Sequence, residues 1–250
     1  MRLPRAFRAL VAREEFYPGI ISFFTSPYFI TRYHLLRSIR SYAPRLGGEL
    51  LDFGCGSKPY ERLFTNVDAY IGVDVEVSGH DHTTSRVDNF YDGKALPFPA
   101  GRFDSIVSFE VFEHVENLEA MVDELFRVAK PGAFVLVTMP FVFPEHETPF
   151  DFRRLTRYGL NSLLQKGGFE ILENRTTCSS VLTLAQCFSH LIFRELTPQF
   201  TLAKIFTQLF VAVPLTMVAY LLDFLLPRKD SLYINLVVLA RKPAVSTASG

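Results

Sequence analysis

Tryptophan is absent from this chain of 250 residues, so large aromatic burial falls to other rings. Cysteine is scarce. Cys55, Cys178 and Cys187 are odd in number and widely spaced, which argues against a disulfide framework and for a reduced, cytosolic compartment. Net charge is missing as well: Lys plus Arg and Asp plus Glu are 26 each. A general nucleic-acid binder usually carries a basic excess, so no nucleic-acid partner is expected. No uninterrupted apolar run follows the N-terminal arginines, because Arg8, Arg13, Glu14 and Glu15 interrupt it. That segment does not read as a cleaved secretory signal. Two later stretches lack charge altogether: residues 178–193 and 205–222 contain no Asp, Glu, Lys or Arg.

Phenylalanine is abundant instead, with 25 residues that need a core, a pocket or a membrane to cover them. Leu3, Phe7, Leu10 and Val11 alternate with Arg2, Arg5, Arg8 and Arg13 at helical spacing. The pattern fits a basic amphipathic helix on an anionic membrane surface, or a solvated helix packed on the domain. Residues 1–45 read as helices broken near Pro18-Gly19 and Pro27. Short apolar strands then alternate with helices. Strands are predicted at 49–53, 69–73, 87–91, 103–109, 133–139, 169–173 and 232–240. Helices are predicted at 58–64, at 118–129 behind the cap Asn117, and at 156–166. Lys130-Pro131-Gly132 reads as a turn. The alternation predicts an α/β fold, a parallel sheet with helices on both faces. The expected organisation is N-terminal helices over 1–45, an α/β domain over 46–174 plus 232–243, an apolar helical insertion over 175–231, and a disordered tail over 244–250.

The insertion is far longer than an ordinary connection, and the sheet cannot absorb it. It needs a membrane, a second copy of the chain, or the N-terminal helices. Residues 205–222 make a helix of about 27 Å, just short of a bilayer core, and Pro214 should kink it. These lengths favour shallow membrane contact or a homodimer interface through 175–231 over a spanning hairpin.

The most informative feature is Leu50-Leu51-Asp52-Phe53-Gly54-Cys55-Gly56, with Gly72-Val73-Asp74 about twenty residues later. This is a strand ending in a glycine-rich turn, then a strand ending in a carboxylate, the way an open α/β sheet grips an adenosine-containing cofactor. A dinucleotide turn wants a third glycine, and Pro59 stands there. Asp52 is awkward beside a pyrophosphate and useful beside a cationic amino-acid group. Asp74 suits both ribose hydroxyls. These residues favour S-adenosylmethionine over NAD.

Two further motifs follow: Asp92-Gly93-Lys94-Ala95-Leu96-Pro97-Phe98, and Phe103-Asp104 through Glu113-His114-Val115. With these four in order, the chain resembles the class I S-adenosylmethionine-dependent methyltransferases, in their small-molecule, methyltransferase type 11-like branch, across roughly residues 48–174. The resemblance implies a Rossmann-like, doubly wound seven-stranded sheet, mostly parallel with the last strand antiparallel. It implies cofactor contacts from Asp52, Gly54, Cys55, Gly56, Asp74, Val75, Asp92, Gly93, Phe109 and Glu110, with Asp92 or Gly93 on the adenine edge.

Methyl transfer from a sulfonium needs positioning, and a base only where the acceptor loses a proton. Candidate catalytic residues are Glu110, His114 and His146, the last within Glu145-His146-Glu147 and followed by Asp151 and Arg153. On a helix, Glu110, Glu113 and His114 would share one face. Glu110-x-x-Glu113-His114 also resembles a divalent-metal motif of a few O-methyltransferases, which His146 would complete. The simpler expectation is no metal, with the histidines as base, acceptor contact or backbone partner. The segment 145–156 resembles one found in methyltransferases associated with bacterial cell-surface polysaccharide and glycolipid genes. The expected acceptor is therefore a sugar or a lipid-linked small molecule, and the expected site of action the inner face of the membrane. The alternatives are a catalytically inactive cofactor-binding scaffold of a membrane assembly and an NAD-dependent oxidoreductase.

Overall fold

The computed structural model of the protein describes residues 14–76 and 85–244. The basic N-terminal segment, most of the polar stretch 78–85 and the tail beyond residue 244 lie outside them. The chain forms two compact units. One comprises Arg40–Arg175 and the residues from Leu236 onward, the other the residues up to Ile39 and Thr176–Asn235.

The first of these holds a sheet of seven strands: β1 Gly48–Phe53, β2 Val67–Val75, β3 Asn89–Tyr91, β4 Phe103–Phe109, β5 Ala129–Pro140, β6 Glu170–Thr176 and β7 Asn235–Arg241. Their order is β3-β2-β1-β4-β5-β7-β6. The pairs β3/β2, β2/β1, β1/β4 and β4/β5 are parallel, and β7 runs antiparallel. Asp52 sits opposite Gly72 on one side and Val107 on the other. The strand order therefore reverses beside β1, which opens a crevice at the carboxyl ends of β1 and β4.

Helix α3, Leu118–Val128, follows the predicted pattern. Asn117 Oδ1 accepts from the Ala120 amide at 3.3 Å, and Leu118, Met121, Val122, Leu125 and Val128 form the buried face. Thr156 caps helix α4, Arg157–Lys166, by accepting from Gly159, and Gly168 ends it at φ 93°.

Two expectations change. Residues 58–64 hold only a short turn at Glu61–Leu63, because Lys58 takes φ 54° and Pro59 follows it. Lys130-Pro131-Gly132 lies within β5 and not in a turn, since the Gly132 amide donates to Lys242 O at 2.8 Å.

The Lys58 side chain is only 4 % exposed, and its amine bonds Asp88 Oδ2. The same oxygen accepts from the Gly72 amide at 2.7 Å, and Arg86 N–H donates to Gly56 O at 2.8 Å. A Cβ on Gly72 would meet Cys55 Sγ and Lys58 Cε at 2.5 Å, so only glycine lets the turn lie against β2.

The other unit is helical. It contains α1 Ile20–Thr25, most of α2 Phe29–Tyr42, α5 Ser180–His190 and a continuous helix, α6, over Thr201–Leu225. Ile30, Cys178, Leu182, Ala185, Ala219 and Ile234 form its core. Gln186 donates to Pro27 O at 2.7 Å, and His34 Nε2 lies 3.1 Å from the Tyr220 hydroxyl. Thus the apolar insertion packs with N-terminal residues. Pro214 does not break α6: a π-helical stretch, Gln208–Ala212, precedes it, and Pro214 starts the next α-helical turns. At 25 residues, about 37 Å, the helix is long and apolar enough to cross a bilayer core. The expectation of a marginal length does not hold.

Asp88→Ala strips the buried Lys58 amine and the Gly72 amide of their shared partner. Chemical denaturation should show a loss of about 1–3 kcal/mol. Asp88→Asn should recover part of it, because its amide oxygen still accepts.

Candidate functional site

The expected cofactor residues gather at the carboxyl ends of β1, β2 and β4. Gly54 at φ 73° and Gly56 at φ 46° turn the chain out of β1. A Cβ on Gly54 would meet Val111 Cγ2 at 2.4 Å, so the turn requires glycine. Cys55 is buried, and burial pushes its thiol above the ordinary range, which makes it a packing residue and not a nucleophile. Asp74 Oδ2 accepts from the Gly56 amide at 2.9 Å, and Oδ1 from Val75 at 2.9 Å. The carboxylate that ends β2 therefore ties itself to the glycine turn.

Asp92 Oδ1 accepts from the Lys94 and Ala95 amides at 2.9 and 3.2 Å, while Gly93 takes φ 79°. Those amides hold the Asp92 carboxyl below its usual range. The Phe109 ring packs edge-on to Tyr60, with centroids 5.3 Å apart, and stacks on Phe64 at 6.2 Å.

Asp52 is 3 % exposed and sits under the turn. Its Oδ2 accepts from the Tyr70 hydroxyl at 2.7 Å. Burial raises its carboxyl to about 7, against the Tyr70 hydrogen bond and the Lys58 charge, with Asp74 and Glu61 adding to the rise.

The second group lies where β4 and β5 end. Glu110 takes φ 57°, and its amide donates to Thr138 O at 3.1 Å. Glu113 and His114 occupy a short turn, Phe112–His114, not a long helix, so Glu110 does not share a helical face with them. The loop after β5 folds onto this turn, where the Phe152 amide donates to Glu113 O at 2.9 Å. That places His146 Nε2 3.1 Å from His114 Nε2. Glu113 Oε1 lies 3.7 Å from His114 Nε2 and 3.8 Å from His146 Nε2. Glu147, at φ 51°, brings Oε2 to 3.9 Å from His114 Nε2. Non-glycine residues at such φ values store backbone strain and cluster at functional sites.

The Glu113 side chain is fully buried, and both its oxygens lack a hydrogen-bond donor. Burial, then the Glu110 charge, raises its carboxyl well above the ordinary range. Burial, then the His114 charge, lowers His146. Burial works against charge on Asp151, but Arg154 outweighs it and holds the carboxyl down at about 2. Among the described residues, Glu113, His114 and His146 form the group able to hold a metal ion, and Glu110 stands outside it.

The sequence reading overlooked Lys58, Tyr70 and Asp88, which hold the turn from below. One signal was present: Lys58 stands two residues past Gly56, where the chain still needs a positive φ.

The model of a family described as "Methyltransferase domain" matches residues 28–174. The chain belongs to that family. Its fold and relatives are those of the class I, S-adenosylmethionine-dependent methyltransferases, and S-adenosylmethionine is its cofactor. A "Probable S-adenosylmethionine-dependent methyltransferase" of Mycolicibacterium smegmatis is 35 % identical over 136 residues, which are 50 % of this chain and 53 % of the relative. A ubiquinone biosynthesis O-methyltransferase of Chelativorans sp. is 30 % identical over 116 residues, 42 % of this chain and 45 % of that protein. The chain spans about half the length of these curated relatives. Among solved structures, phosphoethanolamine N-methyltransferase 2 of Haemonchus contortus, in complex with S-adenosyl-L-methionine, superposes with a TM-score of 0.53 at 16 % identity. The match covers 94 % of this chain and 57 % of that one, and it speaks for the fold alone.

The raised Asp52 carboxyl sets a stability trend. Its folded value lies above the ordinary carboxylate value, so its contribution is fully present below about pH 4 and lost as pH rises through about 7. Without cofactor, the Tm of the wild-type protein should fall from pH 5 to pH 8 by several degrees more than that of Asp52→Asn. Parallel Tm profiles would contradict this.

Proposed function

We propose that the protein transfers the methyl group of S-adenosylmethionine to a hydroxyl oxygen of a sugar or lipid-linked small molecule at the inner face of a membrane. The observation that carries the hydroxyl reading is the pair of imidazoles, 3.1 Å apart, beside the buried Glu113 carboxyl. The sulfonium is already an activated leaving group, so the donor half of the site mainly positions. Asp74 takes the ribose hydroxyls, Asp92 and Gly93 meet the adenine edge, and Phe109 and Glu110 line the crevice. The glycine turn at Gly54–Gly56, with Val75 at the end of β2, admits the ligand close to the backbone. Asp52 beneath the turn favours the cationic methionine end. A hydroxyl acceptor must lose its proton as the C–O bond forms. His114 or His146 accepts it, and Glu147 lies beside them.

The membrane reading rests on the helical unit. Leu202, Phe206, Phe210 and Phe224 of α6 are 76, 60, 66 and 85 % exposed. Ile20, Leu184 and Leu196 in the same unit are exposed too. A face of this kind calls for a covering partner. Arg228 and Lys229 follow the end of α6 and suit anionic headgroups. Relatives named for ubiquinone biosynthesis and for sterol 24-C-methylation point the same way, toward apolar acceptors.

Calorimetric titration should give S-adenosylmethionine binding that Asp74→Ala weakens roughly ten- to a hundredfold. Failure of the wild-type chain to bind, or NAD binding that Asp74→Ala weakens, overturns the donor assignment. Fractionation of cells without detergent should leave the protein with membranes. Phe206→Ser with Phe210→Ser should release it while donor binding persists. A wild-type protein recovered wholly soluble, as a dimer, overturns the membrane reading. Mass spectrometry of surface lipids and glycans should reveal one O-methyl group lost with the active protein. An unchanged profile speaks for a scaffold.

A further inference from the structure

We infer that the helical unit holds a binding pocket for one single-chain anionic lipid whose head carries a hydroxyl beside its phosphate. This does not depend on the membrane reading above. A face that meets a bilayer and a cavity that takes up one molecule are different features.

Every wall of the pocket belongs to the helical unit. It lies between α1, the π-helical stretch Leu191–Leu196 that continues α5, and the start of α6. Phe24, Phe193, Ile205 and Leu209 supply apolar walls around a cavity of about 270 Å³. Pockets for drug-sized ligands begin at roughly 300 Å³. The space therefore suits one hydrocarbon chain and not the paired chains of a bilayer lipid.

Two polar groups stand among these carbons. Gln208 lines the cavity and is 5 % exposed, and its Oε1 accepts no hydrogen bond. A buried acceptor without a donor is destabilising, and a ligand hydroxyl relieves it. Lys204 stands four residues before Gln208, so the two share one face of α6. It is half-buried, and among the described residues no carboxylate pairs with it. A cation so placed calls for an anion. Thr201 opens α6 on the same cavity, and a helix start favours negative charge.

The backbone marks the same place. π-helical turns are rare and recur at functional sites. Two of them, Leu191–Leu196 and Gln208–Ala212, border this cavity: Phe193 comes from the first, Gln208 and Leu209 from the second.

These groups select the ligand. The carbon walls take the chain, Lys204 takes the phosphate, and Gln208 Oε1 accepts from the neighbouring hydroxyl. A neutral alcohol leaves Lys204 unmatched. A quaternary ammonium head brings a second cation toward it, which is unfavourable.

The full-length protein, freed of lipid, should bind one lauroyl-lysophosphatidylglycerol per chain in calorimetric titration below the critical micelle concentration. Lauroyl-lysophosphatidylcholine has a compensating cation, and dodecyl phosphate has no hydroxyl. Each should bind at least about fivefold more weakly to the wild type. Lys204→Glu should weaken lysophosphatidylglycerol at least about tenfold. Gln208→Leu should abolish the preference over dodecyl phosphate. An unchanged S-adenosylmethionine affinity reports that both variants are folded, and the lipid panel tests the wild type without any variant. Equal binding by wild type and Lys204→Glu, or a preference that survives Gln208→Leu, overturns the assignment. So does lysophosphatidylcholine binding as tightly as lysophosphatidylglycerol. Uptake of several lipids per chain, or only above the micelle concentration, marks adsorption on the exposed face and overturns the pocket. Stoichiometric uptake by a chain that fractionates as soluble sinks the membrane reading and leaves the pocket standing; a membrane-bound chain without such uptake does the reverse.

Discussion

The buried amine of Lys58 and the carboxylate of Asp88 hold the cofactor end of the sheet together. Lys58 lies in the glycine turn after β1, and Asp88 lies just before β3, with β2 between them. The pair spans three adjacent strands. Asp88 also takes the Gly72 amide, so β2 is clamped by the same oxygen. A buried ammonium needs a fixed partner, which gives the turn one low-energy position instead of several. Asp74 then meets Gly56 in the geometry the crevice requires.

The other end of the crevice is organised around a buried carboxyl. Glu113 is buried on the turn after β4, and the loop after β5 brings two imidazoles to it. Glu110 and Glu147 hold positive φ angles on either side, strain that the surrounding hydrogen bonds sustain. The tie between Phe152 and Glu113 O fixes the loop, and the Asp151–Arg154 pair fixes its histidine. The glycine-turn end is thus built on backbone geometry, and the Glu113 end on burial and charge.

Strands and amphipathic helices were legible because their periodicities are local. Leu118, Met121, Val122, Leu125 and Val128 declare one helical face, and Asn117 its start. The turn at Gly54–Gly56 and the carboxylate of Asp74 were legible through spacing. What failed was local pattern overridden by tertiary contact. Residues 58–64 have helical spacing, but Lys58 takes φ 54° before Pro59, and its amine is held by Asp88, thirty residues away. Residues 130–132 look like a turn until Lys242 pairs with them.

By itself the sequence determined the α/β alternation, the donor-type turn and the presence of a second, apolar segment. Each of these depends on residues close together along the chain. Only the tertiary structure decided that His114 and His146 meet at Glu113, that Glu110 shares no helical face with them, and that the apolar segment packs with N-terminal residues around Ile30 and Leu182. Those outcomes depend on where long loops land, and loop closure is governed by contacts that spacing does not encode.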